Sequence, residues 1–223
     1  MTGLRQRLSG ARLYLVCDAR SDAFLDAALR GGVDLVQLRM KDATDREVLA
    51  AAARFVAVCR RHRALFVLND RPELVAQTGA DGVHVGQDDV PVSRARALVG
   101  RDRLVGLSTH SPAQIEVANE ATVDYIGVGP VHETPTKPGR PAVGLELVSH
   151  AARHARIPFF AIGGISAENI DAVTSAGATR VAVVRALTDA SDVEGVARQL
   201  RGMLAAEAAE TAETDERVGV GRP

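Results

Sequence analysis

Eight short runs of apolar, often β-branched residues recur along the 223-residue chain, and stretches with helix signals separate them. Strands that alternate with helices pair in parallel through right-handed crossovers. The runs are apolar at consecutive positions, which is typical of strands that are covered on both faces. The predicted strands are Leu13–Cys17, Leu35–Leu38, Leu65–Leu68, Gly82–Val85, Leu104–Leu107, Tyr125–Val128, Phe159–Ile162 and Val181–Val184.

This alternation predicts an α/β fold, a (β/α)₈ TIM barrel in a single domain over residues 11–204. Eight units within about 200 residues match the lower end of the size range of such barrels. Thr44 followed by Glu47 predicts a capping box, and Ser166 predicts the start of a helix that ends at Gly177. The rival fold is a doubly wound open sheet, but the sequence has neither a GxGxxG fingerprint after the first strand nor a P-loop.

Composition excludes several classes of protein. The 27 basic and 28 acidic residues leave a net charge of −1, so no global field favours nucleic acid or an anionic membrane. Aromatic residues make up only 3%, which argues against a base-stacking platform. No apolar run approaches the roughly 18 residues of a membrane span, and the first run is too short for a signal peptide. We therefore expect a cytoplasmic protein with small-molecule partners, no nucleic acid and no membrane.

Two minor features complete this outline. Cys17 and Cys59 form no CxxC motif, and both lie in apolar segments, which predicts buried free thiols rather than a disulfide or metal pair. Residues 205–223 are polar and acidic before a glycine-containing end, and we expect them to be a disordered tail without a catalytic role.

Polar residues follow the predicted strands, and in a parallel barrel these positions converge on one rim. Gln37, Arg39 and Lys41 share strand parity, so their side chains are expected to point into the barrel mouth if Leu38 and Met40 face the helices. Two cations at this position are costly unless an anion or carboxylates neutralise them. A bound anion is one explanation, and an internal ion pair with Asp70 or Asp89 is the other.

Asp70 and Asp89 follow neighbouring strands and offer oxygen ligands to a hard cation. Two carboxylates that leave room for water and phosphate oxygens suit Mg²⁺. For His84, within the fourth strand, we predict a hydrogen-bonded core imidazole rather than a metal ligand. Gly163 and Gly164 end the seventh strand, where small residues let a phosphate approach backbone amides.

The sequence resembles the thiamine-phosphate synthase family over about residues 11–203. The motifs that carry the resemblance occur in the family's order and spacing. They are Gln37-Leu-Arg-Met-Lys41, Asn69-Asp70-Arg71, Asp81-Gly-Val-His-Val-Gly-Gln-Asp-Asp89, Gly106-Leu-Ser-Thr-His110, Gly129-Pro with Thr134-Pro-Thr-Lys137, Ala161-Ile-Gly-Gly-Ile165 and Val183-Val-Arg-Ala-Leu187.

The resemblance implies a (β/α)₈ enzyme, an alkyl-group transferase of thiamine biosynthesis. Such enzymes join 4-amino-2-methyl-5-hydroxymethylpyrimidine diphosphate to a thiazole phosphate, or its carboxylated tautomer, and release pyrophosphate. Arg185 departs from the family pattern, in which many members have a small residue such as Ser.

The resemblance also implies roles for individual residues. Asp70 and Asp89 are implied as ligands of an Mg²⁺ cofactor. The residues implied for the pyrimidine diphosphate are Gln37, Arg39, Lys41, Asn69, Ser108 and Lys137, of which Arg39, Lys41, Ser108 and Lys137 are the catalytic candidates. The residues implied for the thiazole phosphate are Thr134, Thr136, Gly164, Val184 and Arg185.

Two other functions stay open at this point. A thiazole tautomerase would bind the thiazole phosphate without coupling it, and it could dispense with the diphosphate-binding residues that this chain has. A non-catalytic phosphometabolite sensor would need a partner-binding helix or a basic arm, and the sequence shows neither. The Ala-rich helix faces permit a homodimer, although ordinary barrel packing explains them equally well.

Overall fold

Hydrogen bonds between the first and last strands close the sheet of this chain into a barrel. A computed structural model describes residues 3–134 and 141–205, and in it eight parallel strands pair in chain order, with Leu13 beside Val181 at the closure. The predicted (β/α)₈ fold is therefore confirmed. The strands are β1 (Leu13–Cys17), β2 (Leu35–Leu38), β3 (Leu65–Asn69), β4 (Gly82–Val85), β5 (Leu104–Thr109), β6 (Tyr125–Val128), β7 (Phe159–Ile162) and β8 (Val181–Val183).

Three strand ends differ from the prediction by one or two residues. Asn69 and Thr109 extend β3 and β5 because their backbones still pair with the neighbouring strands, although their side chains are polar. Val184 leaves β8 because its backbone angles, φ −119° and ψ −87°, are not those of a strand. The polar residues at strand ends therefore belong to the sheet itself, which holds them rigidly at the rim.

Helices connect the strands around the outside of the barrel. The capping box predicted at Thr44 and Glu47 is present at the start of a 17-residue helix. The helices in the described residues are α1 (Leu4–Gly10), α2 (Asp22–Arg30), α3 (Asp45–Arg61), α4 (Val75–Thr78, after a 3₁₀ turn at Pro72–Leu74), α5 (Val92–Val99), α6 (Pro112–Glu120), α7 (Gly144–His154), α8 (Ile170–Ser175), α9 (Arg185–Thr188) and α10 (193–205).

The predicted start of α8 was wrong. Ser166 does not open the helix, because its amide donates to the Asn169 side chain, 3.0 Å away, in a turn that precedes it. The helix begins at Ile170 instead, and Gly177, with φ +99°, follows its end. None of the helices within residues 3–134 and 141–205 is long and apolar enough to cross a membrane.

Alternate residues of each strand enter two separate apolar layers. Leu38 and Val83 pack in the larger cluster, between strands and helices, and Met40 packs against it. The smaller cluster fills the barrel interior and includes Tyr14, Phe160 and, from α1, Leu8. The predicted parity of β2 is confirmed, since Leu38 and Met40 face the helices. Cys17 and Cys59 are buried free thiols, as predicted.

A buried carboxylate ties the amino-terminal end of the barrel together. Asp124 is only 6% exposed; its Oδ1 lies 2.7 Å from Arg5 Nε of α1, and its Oδ2 lies 2.5 Å from Arg96 Nη2 of α5. The Val105 amide also donates to Oδ2, at 2.8 Å. Removing Asp124 would leave the largely buried Arg96 guanidinium without its counter-charge, which is costly in a buried position.

We predict that Asp124→Ala lowers the free energy of unfolding by about 3 kcal/mol, because it removes the counter-charge of Arg96, whose side chain is 15% exposed, and the acceptor of the Val105 amide. Glu120→Ala is the matched control, since Glu120 pairs with Arg156 at the surface, with both side chains more than 70% exposed. The control should change the free energy of unfolding by less than about 1 kcal/mol. Urea denaturation measures both values, and equal losses would contradict this role of Asp124.

Candidate active site

The mouth of the barrel contains a cavity of about 220 Å³ at the carboxyl ends of the strands. Its walls come from β1, β2, β4 and β5, from β6, β7 and β8, and from the segments that follow these last three strands. Six of the site residues implied by the resemblance line it together: Gln37, Ser108, Thr134, Gly164, Val184 and Arg185. The two groups of ligand contacts expected from the sequence therefore border one common space.

One wall of this cavity is made of backbone rather than of side chains. Gly163 and Gly164 have φ values of +109° and +63°, which glycine adopts readily. A Cβ at Gly163 would lie 2.5 Å from Pro130 Cα, so the segments after β6 and β7 touch here. Within the described residues, the N–H groups of Gly164, Ile165 and Arg185 have no hydrogen-bond acceptor. Unpaired amides beside a cavity are donors for an anion.

The opposite side of the mouth carries the acidic and basic residues predicted there. Lys41 Nζ lies 3.9 Å from Asp70 Oδ2, so the ion pair considered from the sequence is present. Within the described residues, the Arg39 guanidinium has no carboxylate partner. One of the two cations is therefore partly neutralised by the protein, and the other is available to an anion.

Asp70 and Asp89 lie side by side, and the Gly86 amide donates to Asp89 Oδ2 at 2.9 Å. Burial, followed by the charge and hydrogen bond of Asp89, raises the pKa of Asp70 to about 6. Asp70 also has a left-handed backbone, φ +56°, a conformation uncommon for residues other than glycine and found at functional sites.

This carboxylate pair is suitable for a hard cation. Two adjacent carboxylates repel each other when both are charged, and a divalent cation relieves that repulsion. The described residues contain no cluster of three or more His, Cys, Asp or Glu side chains that could hold a metal. Two carboxylates by themselves suit an Mg²⁺ ion whose other ligands are water and substrate phosphates.

Asn69 links this carboxylate pair to the cavity. Its Nδ2 donates to Asp70 Oδ2 at 2.5 Å, and its Oδ1 accepts from Gln37 Nε2 at 3.0 Å. Lys41, Asn69, Asp70 and Asp89 are not part of the cavity lining, but Gln37 is. The rim therefore has two adjoining parts, one charged and one lined by amides, and a hydrogen-bonded amide side chain joins them.

Three residues of the cavity neighbourhood were not named as functional from the sequence. Tyr14 and His84 line the cavity, and Tyr125 lies beneath it, in hydrogen-bond contact with both at 3.2 Å. His84 is a buried, hydrogen-bonded imidazole as predicted, but its Nε2 also lies 3.0 Å from Ser108 Oγ. Strand parity could have indicated this, because His84 points inward between Val83 and Val85, which both face the helices.

The side chain of His110, two residues after Ser108, points toward the segment that follows β6. Its Nδ1 contacts the Gly129 carbonyl oxygen, so it is not the histidine that pairs with Ser108. Thr136 and Lys137 lie outside the described residues, as does the predicted tail after Ala205. Their predicted roles stay predictions.

The fold and the cavity together define a barrel enzyme that binds its ligand at the carboxyl ends of the strands. Residues 13–187 match the family model described as thiamine monophosphate synthase. The chain belongs to this family and is a transferase of thiamine biosynthesis.

Individual relatives agree with this assignment. The thiamine-phosphate synthase of Thermobifida fusca is 50% identical over 214 residues, which cover 92% of this chain and 98% of that protein. That of Thermosynechococcus vestitus is also 50% identical, but the match covers 88% of this chain and only 56% of the longer relative. The solved thiamine phosphate pyrophosphorylase of Pyrococcus furiosus superposes with a TM-score of 0.83 at 29% identity, covering 92% and 99% of the two chains.

We predict that Gly163→Ala lowers the free energy of unfolding by about 3 kcal/mol, because the new Cβ would strain the backbone and press on Pro130. Gly144→Ala is the control: its φ is +71°, but a Cβ there meets nothing within 4 Å. It should cost about 1 kcal/mol, from the left-handed backbone alone. Thermal unfolding of both variants checks this, and a Gly163→Ala variant as stable as the control would contradict the close contact.

Proposed function

We propose that this chain joins 4-amino-2-methyl-5-hydroxymethylpyrimidine diphosphate to a thiazole phosphate to give thiamine phosphate and pyrophosphate. With the carboxylated tautomer as the second substrate, the reaction also releases CO₂. The observation that supports this proposal most strongly is that the rim of the barrel has two parts of different chemistry. A charged part built from Lys41, Asp70 and Asp89 adjoins a cavity whose far wall offers unpaired amides. Such a rim suits one substrate with a diphosphate and a second with a single phosphate.

The charged part would hold the diphosphate. Arg39 and Lys41 follow β2 and provide two cations, and Lys137 would add a third from the segment after β6. Positive charge held in place lowers the energy of the transition state in which negative charge builds up on the departing pyrophosphate. Asp70 and Asp89 would hold Mg²⁺, which when bound adds further charge neutralisation at the phosphate oxygens.

The bond changes require no nucleophile from the protein. The carbon–oxygen bond of the pyrimidine methylene breaks, and its electron pair leaves with pyrophosphate. The lone pair of the thiazole nitrogen then forms the new carbon–nitrogen bond. Ser108 and Gln37 would contact the pyrimidine from the cavity floor, while the segment that follows β6 would exclude water from the cationic carbon.

The amide wall would hold the phosphate of the thiazole substrate. The amides of Gly164, Ile165 and Arg185 supply donors with no acceptor among the described residues, and Val184 lines the same wall. Thr134 lines the same cavity, and Thr136 follows it in the sequence. The Arg185 side chain is exposed at the mouth, so it can add positive charge near this phosphate.

Incubation of the purified chain with both substrates and Mg²⁺ tests the proposal directly, with thiamine phosphate and pyrophosphate as the measured products. Formation of both in equal amounts is expected. A tautomerase would interconvert thiazole phosphates without releasing pyrophosphate, and a sensor would bind them unchanged, so either result overturns the proposal. A cytoplasmic location and a homodimer stay predictions.

We predict that Arg39→Gln lowers kcat about 100-fold, the usual effect of removing one preorganised charge contact to a transition state. The stability of the fold should change little, because the guanidinium has no carboxylate partner within the described residues. Arg54→Gln is the control, since Arg54 pairs with Asp22 at the surface, Nε to Oδ1 2.9 Å. Steady-state kinetics of the two variants decide the matter, and equal effects on kcat would contradict the role of Arg39.

We predict that Asp89→Asn raises the Mg²⁺ concentration needed for half-maximal activity at least tenfold, because a carboxylate ligand is lost. Asp88→Asn removes the same charge one residue earlier and should leave that concentration within about twofold of wild type. Activity is measured against MgCl₂ at fixed ionic strength. An unchanged Mg²⁺ requirement in Asp89→Asn would refute the ligand assignment.

A further inference from the structure

A continuous chain of hydrogen bonds crosses the barrel interior from Asp70 to Ser108. From the rim inward, Asp70, Asn69 and Gln37 are joined as described above, and Gln37 Oε1 lies 3.0 Å from the Tyr14 hydroxyl. The Tyr14 and Tyr125 hydroxyls lie 3.2 Å apart. Tyr125 then meets His84 Nδ1, and His84 Nε2 meets Ser108 Oγ. Six hydrogen bonds thus connect a charged carboxylate at the rim with a hydroxyl in the cavity.

The carboxylate sets the direction of the first three bonds. Asp70, paired with Lys41, accepts hydrogen bonds, so the Asn69 amide must present its NH₂ group to it. Asn69 Oδ1 is then the acceptor for the Gln37 NH₂ group. Gln37 Oε1 therefore faces Tyr14 and can only accept, so Tyr14 donates to it.

The remaining bonds follow because a phenol has one proton to donate. Tyr14 uses its proton on Gln37, so the bond between the two hydroxyls is donated by Tyr125. Tyr125 then has no proton left for His84 and must accept from His84 Nδ1–H. In a neutral imidazole the other nitrogen is bare, so His84 Nε2 accepts from the Ser108 hydroxyl.

Burial supports this assignment. Tyr14, Gln37, Tyr125 and His84 are each less than 10% exposed, so little water competes for these groups. Burial raises the pKa of both phenols, which therefore keep their protons. An imidazolium at this position would place a charge beside the Tyr125 ring, which packs in the interior cluster with its centroid 5.5 Å from that of His84, at a high desolvation cost.

We propose that Tyr14 and Tyr125 are positioning residues that hold His84 in its Nδ1–H tautomer, so that Ser108 presents lone pairs, not its proton, to the cavity. The proposal rests on the proposed function for what Ser108 meets. An oxygen that can only accept selects a donor, and the 4-amino group is the donor on the pyrimidine ring. Ser108 in this state cannot donate to the pyrophosphate, so its contribution is to recognise and orient the ring.

The tautomer of His84 is the direct test, and it does not depend on activity. Long-range proton–nitrogen correlation spectra of the full chain, labelled with ¹⁵N-histidine, separate protonated from bare ring nitrogens. The chain has six histidines, and the His84 signals are those lost in His84→Asn. We expect a protonated Nδ1 and a bare Nε2. A protonated Nε2, either alone or in an imidazolium, overturns the proposal.

Tyr14→Phe tests the relay at a distance, because the Tyr14 hydroxyl is hydrogen-bonded to Gln37 and Tyr125 and acts on His84 through Tyr125. Without its hydroxyl, Tyr125 can donate to His84 Nδ1, and the imidazole should change to the Nε2–H tautomer. Phe160→Leu is the control, since Phe160 packs edge-on against both tyrosine rings but has no polar atom. The His84 tautomer should be unchanged in Phe160→Leu, and the same spectrum in Tyr14→Phe as in wild type would refute the relay.

A kinetic ratio connects the tautomer with substrate recognition. We expect wild type to prefer the aminopyrimidine diphosphate over its 4-deamino analogue in kcat/KM, and Tyr14→Phe to reduce that preference about tenfold, the worth of one hydrogen bond. The KM for thiazole phosphate should not change. An unaltered preference would overturn the recognition role. If no coupling is detected at all, the proposed function fails, while the NMR result still decides the orientation of the network.

Discussion

Parallel hydrogen bonding around a closed sheet is the constraint on which the rest of this structure depends. Because β8 pairs with β1 in the same direction as every other pair, all eight strands end on one rim. Residues separated by more than a hundred positions, such as Gln37 and Arg185, then border one cavity. The helices cover the outer face of each strand, so polar groups are concentrated where the strands end, and the predicted site residues within the described part of the chain gather there.

The interior of the barrel changes from apolar to polar along its axis, from the amino-terminal end to the mouth. At the amino-terminal end Leu8 of α1 and Leu104 pack in an apolar layer, while toward the mouth the same column carries Tyr14, His84 and Gln37. Buried polar groups are tolerated only when they are hydrogen-bonded. Here each of these side chains is hydrogen-bonded to the next, and the series ends at the carboxylate of Asp70. The rim and the cavity floor are therefore joined in one polar network rather than being two separate sites.

Most of the fold could be predicted from local patterns. Consecutive apolar residues and capping signals identified all eight strands and the helix that starts after Thr44, because these features depend on near neighbours in the chain. The errors occur where a local signal competes with another contact. Ser166 has the composition of a helix cap, yet Asn169 takes its amide into a turn. Helix α1, which precedes the predicted domain boundary at residue 11, was not identified, since only its contact with the barrel end shows what Leu8 packs against.

For the site, the sequence by itself determined which side chains point toward the mouth: strand parity alone separates Gln37 from Leu38, and the position of Asp70 after β3 follows from where the apolar run ends. It could not determine which of those side chains meet. Ser108 is hydrogen-bonded to His84 rather than to His110, which is nearer in sequence, and Asp70 contacts both Asp89 and Lys41. Only the tertiary structure decided these pairs, because they depend on the register between neighbouring strands and on the backbone angles after each strand, and a change of one residue in either would bring different atoms together.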